Sequence, residues 1–551
     1  MRGSPTYVLG TGLSHDGSAC LLKDGAIAVA IEKERVTRHK HDGGNDDDAI
    51  LYCLAAEGIT IDDVDLVVQN ANFSMFERGN DWYRGPRLVA RHPRVVTISH
   101  HLAHAYSAIG TSPFDETAVL VIDGCGNACD QILDRNVAVT LAPAHDPALD
   151  HLHYEKDSYY YFDGRRLHPI AKDYSPWGYR AREYPMCPPT TQHSIGGLYQ
   201  AASSYCFGGI DDSGKLMGLA AFGRPGAFSD QLLALRDGRV FVNYDGMAQF
   251  DRPRRTDTDF RAHFQYYADI ARWVQEEVER ALLYLVDHRR RLFPSKNLAY
   301  AGGVALNAVA NSRILREASF ANLYIQPAAG DNGIAIGCAY YGWLTVLDRE
   351  RRRHDGSSAF GRRYSEAEVA DALAQRAEHL EIVKAPDVVE TTASMLANGA
   401  VVGWFQGRSE FGPRALGHRS ILADPRRQGQ KDRINSQIKF REDFRPFAPA
   451  VTAERATAYF DVDRESPYML LVAPIRTDHG HSLCDVTHVD GSCRLQTVSS
   501  TQEPLFHALL TAFARHTGLP VLLNTSLNRR GMPIVETPGD ALDFFLECAL
   551  D

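Results

Sequence analysis

The sequence predicts an α/β architecture, duplicated at the front of the chain and followed by a further α/β domain. Two observations carry this. A strand, glycine turn and returning strand occur twice, as Leu9-Gly-Thr-Gly…Asp16-Gly-Ser-Ala-Cys-Leu-Leu22 and as Leu120-Val-Ile-Asp123-Gly-Cys-Gly-Asn-Ala-Cys-Asp130-Gln-Ile-Leu133. Later strands run straight into glycine loops and then helices, at Gly302-Gly303 and at Gly330-Asp331-Asn332-Gly333. That order suits a phosphate site, because unhindered backbone N–H groups face the ligand at a helix N-terminus.

Taken in order, the first lobe covers about 5–115. Residues 7–10 and 18–22 read as a hairpin around a polar, glycine-bearing turn, and 26–31 as a third strand. A charged segment runs from Glu32 to Asp42, followed by a helix at 47–58 and strands at 64–68 and 95–98. The last feeds Ser99-His100-His101-Leu102-Ala103-His104-Ala105. His100 and His104 are one helical turn apart on one face, a spacing that lets two imidazoles hold one metal ion. Most histidine pairs so spaced are ordinary surface or core residues, and the zinc-protease motif with its glutamate is absent. His15-Asp16 sits on the first turn; a histidine beside a carboxylate can act as a general base, although such a turn also forms for capping alone.

The second lobe covers about 116–345. It opens with a buried strand at 117–122 that ends in Asp123-Gly124, where a carboxylate could add a metal ligand. Ser194-Ile-Gly196-Gly197 opens a helix, Gly214-Lys215-Leu-Met-Gly218 reads as a glycine-spaced turn, and 264–292 as a long amphipathic helix. A strand at 297–301 runs into Gly302-Gly303-Val-Ala-Leu-Asn307, a helix follows at 308–317, a strand at 322–326, and a small-residue helix at 334–341. Residues 346–364 read as a linker and 365–551 as the third part. There, Arg408, Arg414 and Arg419, then Lys439-Phe-Arg441 and Arg445, alternate with Gly, Pro and Phe. Arginine on such loops matches oxyanion geometry. A strand at 521–523 ends in Asn524-Thr-Ser526-Leu-Asn528.

Composition narrows the function. The 44% hydrophobic and 23% charged content of this 551-residue chain is that of an ordinary globular protein. No apolar run reaches about 18 residues, so no membrane partner or secretory signal is expected, and a cytoplasmic location is. Met1-Arg-Gly-Ser4 resembles a vector-derived leader and is left out of the fold reading. The net charge of −10 argues against a nucleic-acid partner. The ten cysteines form no paired Cys-x-x-Cys, so free thiols are expected.

Taken together, His15-Asp-Gly-Ser-Ala, Ser99-His-His-Leu-Ala-His104-Ala, Gly214-Lys-Leu-Met-Gly-Leu-Ala, Gly302-Gly-Val-Ala-Leu-Asn307 and Gly330-Asp-Asn-Gly333 resemble the O-carbamoyltransferase family. Its aminoglycoside-modifying members are nearest in pattern. The front is similar to the actin and sugar-kinase (ASKHA) superfamily. Arg408-Ser-Glu-Phe-Gly-Pro-Arg414, Lys439-Phe-Arg441 and Ser526-Leu-Asn528 resemble a YrdC-like domain. The resemblance implies that carbamoyl phosphate and ATP form carbamoyl adenylate at Lys439, Arg441 and Ser526, helped by Arg414, Arg419, Arg445 and Asn528. It implies a divalent metal, iron in relatives, held by His100, His104, Asp123 and Asp331, with Lys215, Gly302, Gly303 and Asn307 in the nucleotide site. Two histidines and two carboxylates suit Fe(II) or another first-row ion. His15, beside Asp16, would deprotonate the hydroxyl of a small-molecule acceptor, an aminoglycoside being expected, whose pocket would include residues 145–190. Whether His100 or His101 points inward rests on the resemblance. The alternatives are a tRNA threonylcarbamoyl-type enzyme and a non-catalytic ATP-binding regulator; the latter leaves Lys439 and Ser526 without a task.

Overall fold

The structure is a computed structural model that describes residues 4–71, 87–134, 139–140, 147–178, 190–191, 193–254 and 256–551. The chain forms two compact units. One comprises residues 1–26, 44–47 and 60–354; the other comprises 27–43, 48–59 and 355–551. The domain boundary read from the sequence lies within 346–364, whereas the second unit also draws two segments from the front of the chain.

Two of the sheets in the first unit share one pattern. In the first, Tyr7–Leu13 lies antiparallel to Ser18–Lys23 on one side and parallel to Leu66–Ala71 on the other, with Val95–Ile98 parallel beyond it. In the second, Thr117–Ile122 lies antiparallel to His153–Phe162 and parallel to Asn297–Ala301, with Asn322–Ile325 parallel beyond. Thr117–Ile122 is buried at every position, as a strand covered on both faces must be. The expected returning strand at 130–133 is not there. Cys129–Gln131 is a 3₁₀ turn, and His153–Phe162 takes the antiparallel place. The chain is captured earlier: Gly126 N–H donates to the Glu155 carbonyl at 2.8 Å and Glu155 N–H to the Asn127 carbonyl at 3.0 Å, so the backbone leaves the sheet after Asn127.

Phe264–Leu292 is a single helix over the range its periodicity predicts. The expected turn at 214–218 is instead helix Ser213–Ala220, whose buried Leu216, Leu219 and Ala220 follow helical spacing. Helices His100–Thr111 and Ile334–Tyr341 meet along small residues. A Cβ on Gly337 would strike the Ala103 carbonyl, one on Gly110 the Tyr340 ring, and one on Gly10 the backbone of Ala335 and Ala339. Of the expected acceptor region, residues 145–146 and 179–189 lie outside the described residues; the rest includes strands His153–Phe162 and Leu167–Gly178.

The second unit is built on a five-stranded sheet in the order Val402–Phe405, Arg419–Ala423, Val521–Ser526, Ala448–Thr452, Gln496–Val498. One face packs on Phe506, Leu509, Leu510 and Phe513 of helix Pro504–Thr517. The other packs on Ile434, Ile438, Phe460, Leu483 and Phe544. Ser526 is the last residue of the central strand, so strand pairing fixes its position. Among the described residues, no helix is long and apolar enough to cross a membrane.

Candidate functional site

Three carboxyl ends of parallel strands converge in the first unit. Asp123 follows Ile122, Gly302 follows Ala301, and Asp331 lies on the loop after Ile325. Ligands of open α/β sheets gather at such ends. Helix His100–Thr111 presents His100 and His104 to the same point, and both are fully buried. Asp123 Oδ2 lies 2.9 Å from His100 Nε2 and 3.1 Å from His104 Nε2; the two Nε2 atoms are 3.2 Å apart. Asp331 Oδ1 is 3.4 Å from His100 Nε2 and 3.7 Å from His104 Nε2. His101 turns the other way, with Nδ1 at 2.8 Å from Ser158 Oγ. The ring choice that sequence left open thus falls to His100.

Asp123 is oriented from behind. Its Oδ1 accepts N–H groups from Gly124 at 2.7 Å and Gly303 at 3.3 Å, which turns Oδ2 to the histidines. Gly302 at φ +95° makes this possible, since a side chain there would strike the Ile122 carbonyl. Ser194 caps helix Ile195–Phe207 by accepting the Gly197 N–H at 2.7 Å and donates to the Gly124 carbonyl at 2.8 Å. Gly196 has no side chain because Asp123 and Gly124 backbone atoms fill that space. Asn127 Oδ1 accepts the His100 N–H at 2.6 Å, fixing the start of the histidine helix.

These four side chains fit a divalent cation. One donor atom from each of His100, His104, Asp123 and Asp331 lies within 4.8 Å of the others. Two imidazole nitrogens at 3.2 Å from each other and facing one carboxylate oxygen form an arrangement that positive charge would settle. The Nδ1 atoms of both rings have no hydrogen-bond partner among the described residues, so the carboxylates on the Nε2 side hold the rings. Burial opposes charge on His100, but Asp331 and Asp123 outweigh it and raise its pKa to about 10. Burial likewise works against the charge of Asp331 and Asp123, yet the histidines hold both carboxylates below their ordinary range. His15 Nδ1 stands 3.2 Å from Asp331 Oδ2 and Nε2 3.5 Å from Asp16 Oδ2. Its side chain is half-exposed; desolvation opposes its charge, but Asp331, Asp16 and Asp211 raise its pKa to about 10.

Two residues expected in the nucleotide site have internal duties. Asn307 caps helix Ala308–Glu317 by accepting the Ala310 N–H at 3.1 Å and exchanges two hydrogen bonds with Gln275. Lys215 pairs with Asp212 at 2.7 Å and lies over the Phe207 ring.

A second cluster lies in the other unit. Lys439 ends a π-helical turn, Ile434–Lys439, and Phe440 beyond it takes φ +48°. Its Nζ donates to the Ser526 carbonyl at 2.6 Å, Asn528 Oδ1 at 2.7 Å and Ser526 Oγ at 3.1 Å. Arg441 lies over the Phe447 ring and donates to Asn435 Oδ1 at 2.7 Å. Arg414, Arg441, Arg445 and Arg494 gather here. Burial, then mutual repulsion, lowers Lys439, Arg441 and Arg494 well below their ordinary values and Arg414 to about 10. Cations held so close together repel one another and would be stabilised by an anion between them. Arg414 Nε and Arg494 Nε are buried without a hydrogen-bond partner among the described residues. Arg494 escaped the sequence reading because it stands alone at the end of strand Ser492–Arg494, with no glycine or second cation beside it. Arg419 is placed differently: it is fully buried and donates to the carbonyls of Gln406, Gly407, His418 and Glu536.

Comparison with known proteins identifies the family. The family model described as "Carbamoyltransferase N-terminus" matches residues 8–94 and 86–340, and "Carbamoyltransferase C-terminus" matches 393–551. The nodulation protein NolNO of Sinorhizobium fredii is 34% identical, over 98% of this chain and 77% of its own. An uncharacterised Synechocystis protein, sll1178, is 36% identical over 99% of this chain and 95% of its own. The 3′-hydroxymethylcephem-O-carbamoyltransferase of Streptomyces clavuligerus is 34% identical over 61% of this chain and 62% of its own. Among solved structures, HypF of T. kodakarensis matches 63% of this chain and 48% of its own at a TM-score of 0.41 and 15% identity, too loose a likeness to bear on the fold. With both halves of the family matched along nearly its whole length, the chain belongs to the carbamoyltransferase family and is a carbamoyltransferase enzyme.

Proposed function

We propose that this enzyme is an ATP-dependent O-carbamoyltransferase. It activates carbamoyl phosphate as carbamoyl adenylate on the YrdC-like second unit and transfers the carbamoyl group on the actin-like first unit. The observation that carries the reading is the cation cluster around Lys439, whose Arg414 and Arg494 each hold a buried Nε–H with no partner among the described residues. Such a site neutralises crowded phosphates and positions them, which is most of what phosphoryl and adenylyl chemistry asks of a protein.

Every atom is conserved through three steps. Carbamoyl phosphate takes up one water and releases phosphate, leaving carbamate. A carbamate oxygen attacks the α-phosphorus of ATP and pyrophosphate leaves. The acceptor hydroxyl oxygen then attacks the carbamoyl carbon, its proton goes to His15 Nε2, and AMP departs. A divalent cation, iron by family resemblance, would be held by His100, His104, Asp123 and Asp331; it would supply positive charge for the adenylate phosphate and neutralise Asp331. His15 is an imidazolium while the Asp331 carboxylate faces it, and it becomes a base when that field is removed. Gly124 and Gly303 hold Asp123 still throughout. The acceptor is a hydroxyl-bearing natural product, with an aminoglycoside such as tobramycin first in line from the sequence pattern.

The test is product formation with ATP, radiolabelled carbamoyl phosphate and a panel of aminoglycosides, lipo-oligosaccharides and cephem alcohols. Product should require both co-substrates. Lys439→Ala should stop pyrophosphate release, and His15→Asn should stop transfer while carbamoyl adenylate accumulates. Turnover without ATP would overturn the reading.

A further inference from the structure

The second unit contains residues 27–43, far in sequence from the cation cluster. Strand Ala26–Glu32 runs directly into the short helix Lys33–Thr37. Glu32 and Arg35 are buried and paired, with Arg35 Nε at 2.8 Å from Glu32 Oε2. Together they hold both backbone groups of one residue. Glu32 Oε1 accepts the Gly412 N–H at 2.6 Å, and Arg35 Nη2 donates to the Gly412 carbonyl at 2.6 Å. Gly412 has φ +115° and stands two residues before Arg414. One turn on, Arg38 donates to the carbonyls of Ile534 at 2.7 Å and Pro533 at 3.0 Å. That segment adjoins Met532, whose carbonyl accepts from Asn528 Nδ2 at 2.6 Å. Arg408, from the other end of the glycine loop, donates to the carbonyls of Ala28, Phe360 and Gly361.

Ordinary fold stabilisation does not ask for an ion pair to grip the backbone of one residue, because a buried pair is expensive to desolvate and often replaceable by apolar side chains. Its geometric product is the path of the 408–414 loop, and hence where the Arg414 guanidinium points, whose Nε has no hydrogen-bond partner among the described residues. We propose that Glu32 and Arg35 are positioning residues for carbamoyl activation: they fix Gly412 so that Arg414 stands in the anion site. The anion site is therefore assembled from both ends of the sequence. This rests on the reading of the Lys439 cluster as the carbamoyl phosphate site.

The experiment measures KM and kcat for carbamoyl phosphate in ATP-dependent pyrophosphate release by the full-length enzyme. The variants are Glu32→Gln/Arg35→Gln, Arg414→Gln and the triple variant, with Lys439→Ala as control. Replacing both partners avoids leaving one charge buried alone. The pair variant should raise KM roughly ten- to a hundredfold with a smaller change in kcat, since a displacement of about 1 Å at a positioning group has effects of that size. In the Arg414→Gln background the same pair change should add little, because the pair acts through Arg414. An unchanged KM, or a full multiplicative effect on top of Arg414→Gln, overturns the proposal. If the pair variant does not fold, Arg35→Lys carries the same cycle, keeping the charge opposite Glu32 and losing the grip on the Gly412 carbonyl. Unaltered pyrophosphate release in Lys439→Ala would instead overturn the assignment of the anion site.

Discussion

Asp123→Asn tests the front site most sharply. Asp123 Oδ1 accepts two backbone N–H groups, from Gly124 at 2.7 Å and Gly303 at 3.3 Å, while Oδ2 faces His100 Nε2 at 2.9 Å and His104 Nε2 at 3.1 Å. An asparagine has one acceptor and one donor at these positions. Its oxygen must stay with the two amides, because a carboxamide NH₂ cannot accept from them. The NH₂ is therefore forced to the point where both ring nitrogens converge. The change removes a negative charge and puts hydrogens where the proposed ligand oxygen stood. Outer-shell changes alone cost about 10–100-fold in metal affinity, so this inner one should cost at least about 100-fold, or about 2.7 kcal/mol. Anaerobic competition titrations of Fe(II), Mn(II) and Zn(II) against a chromophoric chelator measure it, beside pyrophosphate release, which the proposed mechanism places on the other unit and which should be unchanged. Metal binding within about threefold of the parent enzyme would refute the argument.

The remaining expectations rest on single contacts. Asp331→Asn should drop the pKa of His15 from about 10 towards the ordinary 6.5, seen by histidine NMR with His15→Asn for assignment; an unmoved titration would sink the His15–Asp331 coupling. Because the folded pKa is raised, that contact stabilises the metal-free protein fully below about pH 6.5, and its contribution is lost as pH rises through about 10. Gly302→Ala should cost about 1–3 kcal/mol and lower Tm by several degrees, from the positive φ and the collision with Ile122. Arg419→Lys should lower Tm, at about 1–3 kcal/mol for each carbonyl left unpaired, while KM for carbamoyl phosphate hardly moves; a large KM change with unchanged Tm would return Arg419 to the anion site.

Much of the fold and the site was legible where local chemistry decides. Strand ends bearing Asp123 or Ser526, the span of Phe264–Leu292 and the His100/His104 pairing all come from periodicity and spacing. What sequence could not reveal depends on distant partners. Helical geometry places His101 as near as His100, and only Ser158, on a strand dozens of residues later, takes it away. Arg414 and Arg419 look alike on one glycine loop, yet strand pairing buries Arg419 among carbonyls while Arg414 Nε finds no partner among the described residues. Arg494 had no motif around it. Glu32 and Arg35 read as part of a charged segment, and nothing local announces that Gly412 will receive them.

Glycine and alanine line the seam between helices His100–Thr111 and Ile334–Tyr341. Helices that touch backbone to backbone cannot part by fractions of an ångström without opening a gap. The spacing from His100 and His104 to Asp331 is thus set by the scaffold and not by the guest. Calcium, which wants about six to eight oxygens at a longer reach, would find this socket too narrow and too rich in nitrogen. In the proposed metal site, that fixed seam would favour ions whose radius suits donors already held in place.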